Sequence, residues 1–354
     1  MTDGIEGKVL AGERIGRDEA VRLLENAPLT LLGAMADLAR RRRHTDGVVT
    51  YIVDRNVNYT NVCNAFCTFC AFYRPPGHEE GWTLPYEELE RKVEETYALG
   101  GHQILLQGGH NPKLKIEYYE DLFRRLKARF PDLWLHGLSA PEIVHVRKAS
   151  RLPLRETLQR LRAAGLDSIP GGGAEILVDD VRRRLMKNKA SSDEWIEVHE
   201  EAHRMGLRST ATMMFGHIET RADRIDHMLR LRDLQDRTGG FTAFIGWTFQ
   251  PGNTELGGEE ATTAEYLRTM AVARLFLDNI DNIQASWVTQ GPKVGAASLA
   301  FGVNDMGSTM IEENVVSSAG TVHHMNEPEI VAAVKDAGFV PMRRNMLYER
   351  LGAF

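Results

Sequence analysis

Between residues 17 and 43 apolar side chains recur at helical spacing, Val21 and Leu24 and then Leu31, Met35 and Leu38, with polar residues between them. The pattern predicts two helices divided near Pro28, because a proline inside a helix removes a hydrogen bond and clashes with the preceding turn. The second helix ends in the run Arg40 to His44, read as a solvated basic terminus that complements the helix dipole. From residue 48 the pattern becomes a strand-then-helix alternation. The segment 48–59 (VVTYIVDRNVNY) is β-branched and aromatic, while 85–99 is amphipathic, with Leu89 and Val93 on one face and Gly100-Gly101 closing it. Further strands are predicted at 102–107, 133–138, 168–170, 208–215, 242–248 and 282–285, with a weak one at 303–305. Helices are predicted between them at 116–130, 154–164, 193–205, 222–237, 263–277 and 293–301.

Eight strands alternating with helices over about 250 residues predict an α/β fold of the (β/α)8 TIM-barrel type. The weak fourth and eighth strands leave a partial barrel as the alternative. No linker rich in Pro, Gly or Ser interrupts the chain. The expected organisation is a helical N-terminal extension (1–47), the barrel (48–325) and a short C-terminal helix–strand addition packed on it (326–354). In such barrels the chemistry sits on the loops that follow the strands. Here those loops are polar or glycine-rich: NVCNAFCTFC, QGGH, HGLS, PGGGAE, FGHIET, FQPGNTE, SWVTQGPK and NDMGSTMIEEN. They are expected to converge on one mouth.

Hydrophobic residues make up 43% of the chain, enough for a sizeable core, and the net charge of −6 offers no broad basic field. Nucleic acid is therefore not an expected partner. No stretch approaches the roughly 18 to 20 apolar residues of a membrane span, and the first ten residues lack a signal-peptide pattern. A cytoplasmic protein with no membrane partner is expected. The chain has 3 cysteines, Cys63, Cys67 and Cys70, spaced C-x3-C-x2-C on one loop. An odd number crowded together argues against disulfides and for metal or redox chemistry in a reducing compartment. Structural zinc wants four protein ligands, and a [4Fe–4S] cluster also normally takes four thiolates. Three thiolates leave one iron open to a small chelator, for which the amino and carboxylate groups of S-adenosylmethionine (SAM) are suited. Phe69 and Phe72 add apolar surface for its adenine. A zinc site or plainly buried cysteines stay open as alternatives at this level.

C-x3-C-x2-C with an aromatic residue before the last cysteine, on the loop after the first strand of a β/α repeat, resembles the radical SAM superfamily. The likeness runs from about Val49 onward through NYTNVC, ILLQGGHNP, IPGGGAEIL, TATMMFGHIET, WTFQPGNTEL, NIQASWVTQGPK and STMIEENVVSSAG. Together these resemble the branch that works on futalosine in menaquinone biosynthesis. NYTNVC, WTFQPGNTEL and QASWVTQGPK favour its cyclase side over the aminofutalosine synthase and FO synthase sisters. Gly246 and Ala140 stand where that pattern has proline.

The resemblance implies an oxidoreductase that holds a [4Fe–4S] cluster on Cys63, Cys67 and Cys70, reduced by a donor such as flavodoxin or ferredoxin. SAM would be consumed as oxidant. The substrate would be a nucleoside–benzoate, dehypoxanthine futalosine, which loses a ribose hydrogen and closes onto its benzoate ring with loss of one proton and one electron. A non-catalytic iron–sulfur carrier or sensor is the reading from another class, and it would need a fourth ligand. Gly108 and Gly109 resemble the glycine pair that meets the methionyl ammonium of SAM, or form an ordinary tight turn. Glu175 meets a ribose hydroxyl or the amino group, or caps the next helix. Of Arg182, Arg183 and Arg184, one, taken as Arg183, pairs with the SAM carboxylate. His110, His217 and Glu219 are candidate bases, each also readable as a hydrogen-bonded structural residue. His136, Gln250, Asn253 and Thr289 are expected to line the substrate site, with Lys293 as the cation for its carboxylate. His323 and His324 read as surface residues.

Overall fold

A computed structural model describes residues 4–352; positions 1–3 and 353–354 of the two terminal additions lie outside the described residues. Three helices come first, α1 (Ile5–Ala11), α2 (Arg17–Asn26) and α3 (Leu29–Arg43). Pro28 stands at the N-cap of α3, where its missing N–H costs nothing, so the predicted division falls there. The apolar stripe of α2 buries Leu23 and Leu24, and that of α3 buries Leu32, Met35 and Ala36. The basic end of α3 is exposed at Arg41, Arg42 and Arg43, as expected, but not at Arg40. Arg40 is buried over the Phe339 ring, 4.7 Å from its centroid, and Arg42 donates to the carbonyls of Val9 and Leu10 at the end of α1. Unsatisfied carbonyls of one helix are thus met by the guanidinium of another.

The sheet begins with β1 (Val48–Ile52) and β2 (Arg55–Asn58), two halves of the single strand expected at 48–59. Next come α4 (Tyr86–Ala98), β3 (Gln103–Gln107), α5 (Ile116–Arg129), β4 (Trp134–Gly137), α6 (Ala140–Ser150), α7 (Leu154–Ala164) and β5 (Ser168–Ile169). The second half holds α8 (Asp179–Leu185), α9 (Ser192–Arg204), β6 (Arg208–Phe215), α10 (Arg221–Thr238), β7 (Phe241–Thr248), α11 (Thr263–Phe276) and β8 (Asn282–Gln284). Short helices α12 (Trp287–Gln290) and α13 (Pro292–Ser298) lead to β9 (Asp305–Ser308), and α14 (Glu327–Asp336), β10 (Val340–Arg344) and β11 (Arg350–Gly352) end the chain.

From β2 through β9 each strand pairs in parallel with the next, and β9 returns to pair with β1. Because β1 and β2 are one strand broken at residues 53–54, this return curls the sheet into a TIM-type barrel. On its other side β1 pairs with β10, which carries β11 antiparallel, so the C-terminal addition enters the sheet. Four helices went unpredicted: α1, α6, α8 and α12. α6 starts at the capping box of Ser139 and Glu142, and α8 is only 7 residues long. The last barrel strand lies at 305–308 rather than 303–305, since its polar DMGS text hides a strand whose Asp305 is fully buried. Among the described residues no helix is long and apolar enough to cross a membrane.

Candidate active site

The cysteine loop leaves β2 and is held from three directions by its backbone. Cys63 N donates to Arg74 O at 2.9 Å, Thr68 N to Leu185 O at 2.9 Å and Leu256 N to Thr68 O at 2.8 Å. Lys187 N and Asn188 N both donate to Ala65 O, at 3.3 and 3.2 Å. Phe66 sits at φ 52, a strained left-handed position that this clamping must maintain. Cys63 and Cys67 are buried and Cys70 is half-buried, all as free thiols. Burial pushes all three thiols up, while Lys189 pulls each of them down and the N–H groups of Phe72 and Tyr73 do the same for Cys70. Such donors stabilise thiolates. Among the described residues no three His, Cys, Asp or Glu side chains group as they would around one metal ion. The donor set suits a cluster, which takes each thiolate on a separate iron.

Gly108 and Gly109 follow β3 beside this loop, and both are glycine for a packing reason. A Cβ on Gly108 would stand 2.6 Å from the Tyr59 ring, and one on Gly109 would collide with the Val62 carbonyl. Glu142 fixes the turn by accepting from Gly108 N at 2.9 Å, Tyr59 Oη at 2.8 Å and Ser139 N at 2.7 Å. The motif S-x-x-E in LSAPE carried that signal.

The PGGGAE turn after β5 places Glu175 at φ 42, buried, with Oε1 accepting from Lys189 Nζ at 2.9 Å. Its Oε2 is buried without a hydrogen-bond partner and lies 3.8 Å from Arg182 Nη1. An orphaned carboxylate oxygen beside the cluster loop is a place for a ligand hydroxyl or ammonium. Lys189 Nζ also stands 5.4 Å from the centroid of the Phe69 ring, joining this turn to the cysteines. The cation on α8 differs from the one expected. Arg183 points to solvent and pairs with Asp180, whereas Arg182 is buried and donates to Ala174 O and, at 2.6 Å, Ala190 O. Phe72 turns to the other side of the loop, edge-on to Trp82 at 5.9 Å.

Inside the barrel lies a cavity of about 260 Å³, walled by Ile52, Leu105, Ile245, Trp247 and Met306 among others. His136 and Thr289 line it. His136 Nδ1 bonds Ser168 Oγ at 2.7 Å, and burial with help from Arg344 lowers its pKa to about 3, so it is neutral. Three charged lining residues were not anticipated: Asp54 at the break between β1 and β2, Glu313, and Arg344 at the end of β10. Arg344 holds Asp305 through Nε at 2.5 Å and Nη2 at 2.9 Å.

Several expected residues lie elsewhere. Lys293 is on the outer groove between α13 and α14 with Asp336 and Phe339, because the turn at Gly291 carries α13 away from the mouth. Asn253, at φ 56, donates to Ser318 O at 3.0 Å and ties two loops together; Gln250 accepts from Thr321 Oγ1 at 2.6 Å in the same region. His110 is buried, stacked on His145 at 5.1 Å, and held neutral chiefly by burial. It is outside the cavity lining.

His217 and Glu219 close their own loop. Glu219 accepts from Gly216 N at 2.7 Å, His217 N at 2.9 Å and Arg224 Nε at 2.8 Å, with His217 Nδ1 2.9 Å away. Burial raises its pKa, but His217, Arg224 and the backbone donors together bring it from 4.5 to about 2. A carboxylate so engaged is a poor base. The depression corresponds to about 3 kcal/mol of stability, fully present above about pH 4.5 and lost as pH falls toward 2. Glu219→Gln is expected to lower urea-unfolding stability at pH 7 by that order, with the gap to wild type closing between about pH 4.5 and 2.

Residues 57–231 match the model of the radical SAM superfamily, and residues 238–353 match the CofH/MqnC C-terminal region. The chain is 46% identical to a cyclic dehypoxanthine futalosine synthase of Halalkalibacterium halodurans, over 99% of this chain and 95% of that one. It is 48% identical to the protein of that name in Streptomyces coelicolor, over 97% and 87%. An aminodeoxyfutalosine synthase of Thermus thermophilus is 43% identical over 98% and 95%. The fold is shared with the FeFe-hydrogenase maturase HydG of Carboxydothermus hydrogenoformans at 16% identity and a TM-score of 0.75, covering 98% of this chain and 80% of that one. The chain belongs to the radical SAM superfamily, in the family that carries the CofH/MqnC C-terminal region.

Proposed function

We propose that this enzyme converts dehypoxanthine futalosine to its cyclic product in menaquinone biosynthesis, with SAM as oxidant. The observation that carries the reading is near-full-length identity to two cyclic dehypoxanthine futalosine synthases, above that to the aminodeoxyfutalosine synthase. The bound and reduced cluster, with SAM, supplies a 5′-deoxyadenosyl radical able to take hydrogen from a ribose carbon.

The chain's own residues have the following parts. Cys63, Cys67 and Cys70 hold the cluster, and Lys189 offsets the negative charge their thiolates bring into a buried loop. Glu175, with one oxygen open, receives a hydroxyl or the ammonium of SAM, and Phe69 flanks it. The aliphatic and indole walls exclude water from the substrate, which suppresses side reactions of a radical. Arg344 is the one cation among the lining residues, and neutral His136 donates or accepts a hydrogen bond without adding charge. A flavodoxin or ferredoxin is the electron donor in this reading, and three unpaired cysteines on one loop favour a reducing compartment such as the cytoplasm.

The test is anaerobic reconstitution with iron and sulfide, reduction, and addition of SAM with dehypoxanthine futalosine. Stoichiometric 5′-deoxyadenosine with a product two hydrogens lighter than substrate supports the cyclase. If an enolpyruvyl benzoate, offered in place of that substrate, gains the adenosyl group of SAM, the aminofutalosine synthase activity replaces the cyclase.

A further inference from the structure

Closing a carbon radical onto an aromatic ring leaves one C–H bond to break, so the reaction proposed above needs a base. Among the cavity's carboxylates the structure leaves a single oxygen free for that work. Asp54 lies where the strand breaks between β1 and β2 and faces the cavity. Its Oδ1 accepts from the Ser308 hydroxyl, while Oδ2 has no partner among the described residues and is not sealed from the cavity. Glu313, by contrast, is spent on the backbone: it accepts from Val315 N, Val316 N and Ser317 N, each at 2.8 Å. His136 is tied to Ser168, and with a pKa near 3 it holds a proton too weakly to be a useful acceptor.

The groups packed around Asp54 give it the basicity its place requires. From β9, Asp305 accepts from Thr50 Oγ1 at 2.5 Å and Gly307 N at 2.8 Å as well as from both arms of Arg344. From β10, Arg344 is therefore committed to Asp305, and Tyr348 stacks on its far side with the guanidinium carbon 3.8 Å from the ring centroid. Across the cavity stand neutral His136 and the engaged Glu313. Asp54 is thus a second carboxylate facing one cation already paired. Burial raises its pKa from 3.8 to about 6, with Ser308 and Arg344 lowering it and Asp305 raising it.

We propose that Asp54 is the base that accepts the ring proton when the cyclised substrate recovers its aromaticity. The proposal rests on the cyclase reading. The C–H bond at the attacked ring carbon breaks and its proton passes to Oδ2 of Asp54. One electron leaves to a one-electron acceptor of the ferredoxin or flavodoxin class, and the remaining electrons restore the aromatic sextet. Asp54 is a carboxylate above about pH 6, so product formation falls as pH drops through that value.

The experiment uses Asp54→Asn in the full chain, reconstituted with its cluster. Product is expected to fall about 100-fold or more, the usual weight of a general base, while cluster content and substrate-dependent 5′-deoxyadenosine are kept and a substrate ring radical builds up in the electron paramagnetic resonance spectrum. Infrared titration of the wild-type holoenzyme should show a buried carboxyl near pH 6 that Asp54→Asn lacks. Ser308→Ala removes a donor to the carboxylate, and should shift both that titration and the low-pH limb of product formation upward. Wild-type product from Asp54→Asn, or an unmoved limb in Ser308→Ala, overturns the proposal alone. If the wild type cleaves SAM but makes no product two hydrogens lighter, the cyclase reading fails and the proposal falls with it.

Discussion

Cys67→Ala is expected to fold and to lose SAM cleavage altogether. The side chain is removed from a loop whose position does not depend on it. Thr68 is bonded to Leu185 and Leu256, and Ala65 to Lys187 and Asn188, all through the backbone. Cys67 itself is buried with its thiol pushed far up by that burial, so an alanine here deletes one sulfur rather than a charge the apo fold relies on. Truncating a buried small side chain costs about 1 kcal/mol by the area it removes from water. The cluster is a different matter. Two remaining thiolates cannot hold a cubane that normally takes four. Iron and sulfide per chain should drop steeply, and 5′-deoxyadenosine formation should fall below one-thousandth of wild type, with the circular dichroism spectrum preserved. Retained cleavage would remove Cys67 from the ligand set.

What the sequence made legible followed from how local each signal is. The C-x3-C-x2-C loop is a ligand set within eight residues, and residues 208–215 read as a strand that the structure gives at the same bounds. Signals that depend on which face looks inward were not legible. Arg182, Arg183 and Arg184 succeed one another around a helix, each turned about 100° from the last, and only the packing of α8 decides that Arg182 is inside. Similarly, His217 and Glu219 have the residue types of a catalytic pair, but their two-residue spacing lets them satisfy their own loop. Asp54 is visible only in hindsight, as the polar residue that interrupts VVTYIV-D-RNVNY. Arg344 had no local signal at all, because its partner Asp305 is 39 residues away and its register is set by β10 pairing with β1.

That distant pair yields the second large effect. Arg344→Met is expected to destabilise the protein by about 3 to 5 kcal/mol, the cost of leaving a buried charge without its partner. The side chains of Arg344 and Asp305 are 3% and 0% exposed, and methionine fills the volume of the stem without replacing the fork that met both carboxylate oxygens. Thr50 and Gly307 would still donate to Asp305, but neutral donors do not cancel its charge. A surface pair from the same C-terminal segment sets the comparison. Arg350 and Asp46 are 45% and 44% exposed, and Arg350→Met should cost less than about 1 kcal/mol. The buried variant also removes the one cation that lowers the pKa of Asp54, so any cavity carboxyl titrating near pH 6 should move higher. Urea unfolding of both variants and infrared titration of the buried one separate the two consequences. If Arg344→Met costs no more than Arg350→Met, β10 is held to the barrel by its backbone ladder alone, and the floor of the cavity owes nothing to the ion pair beneath it.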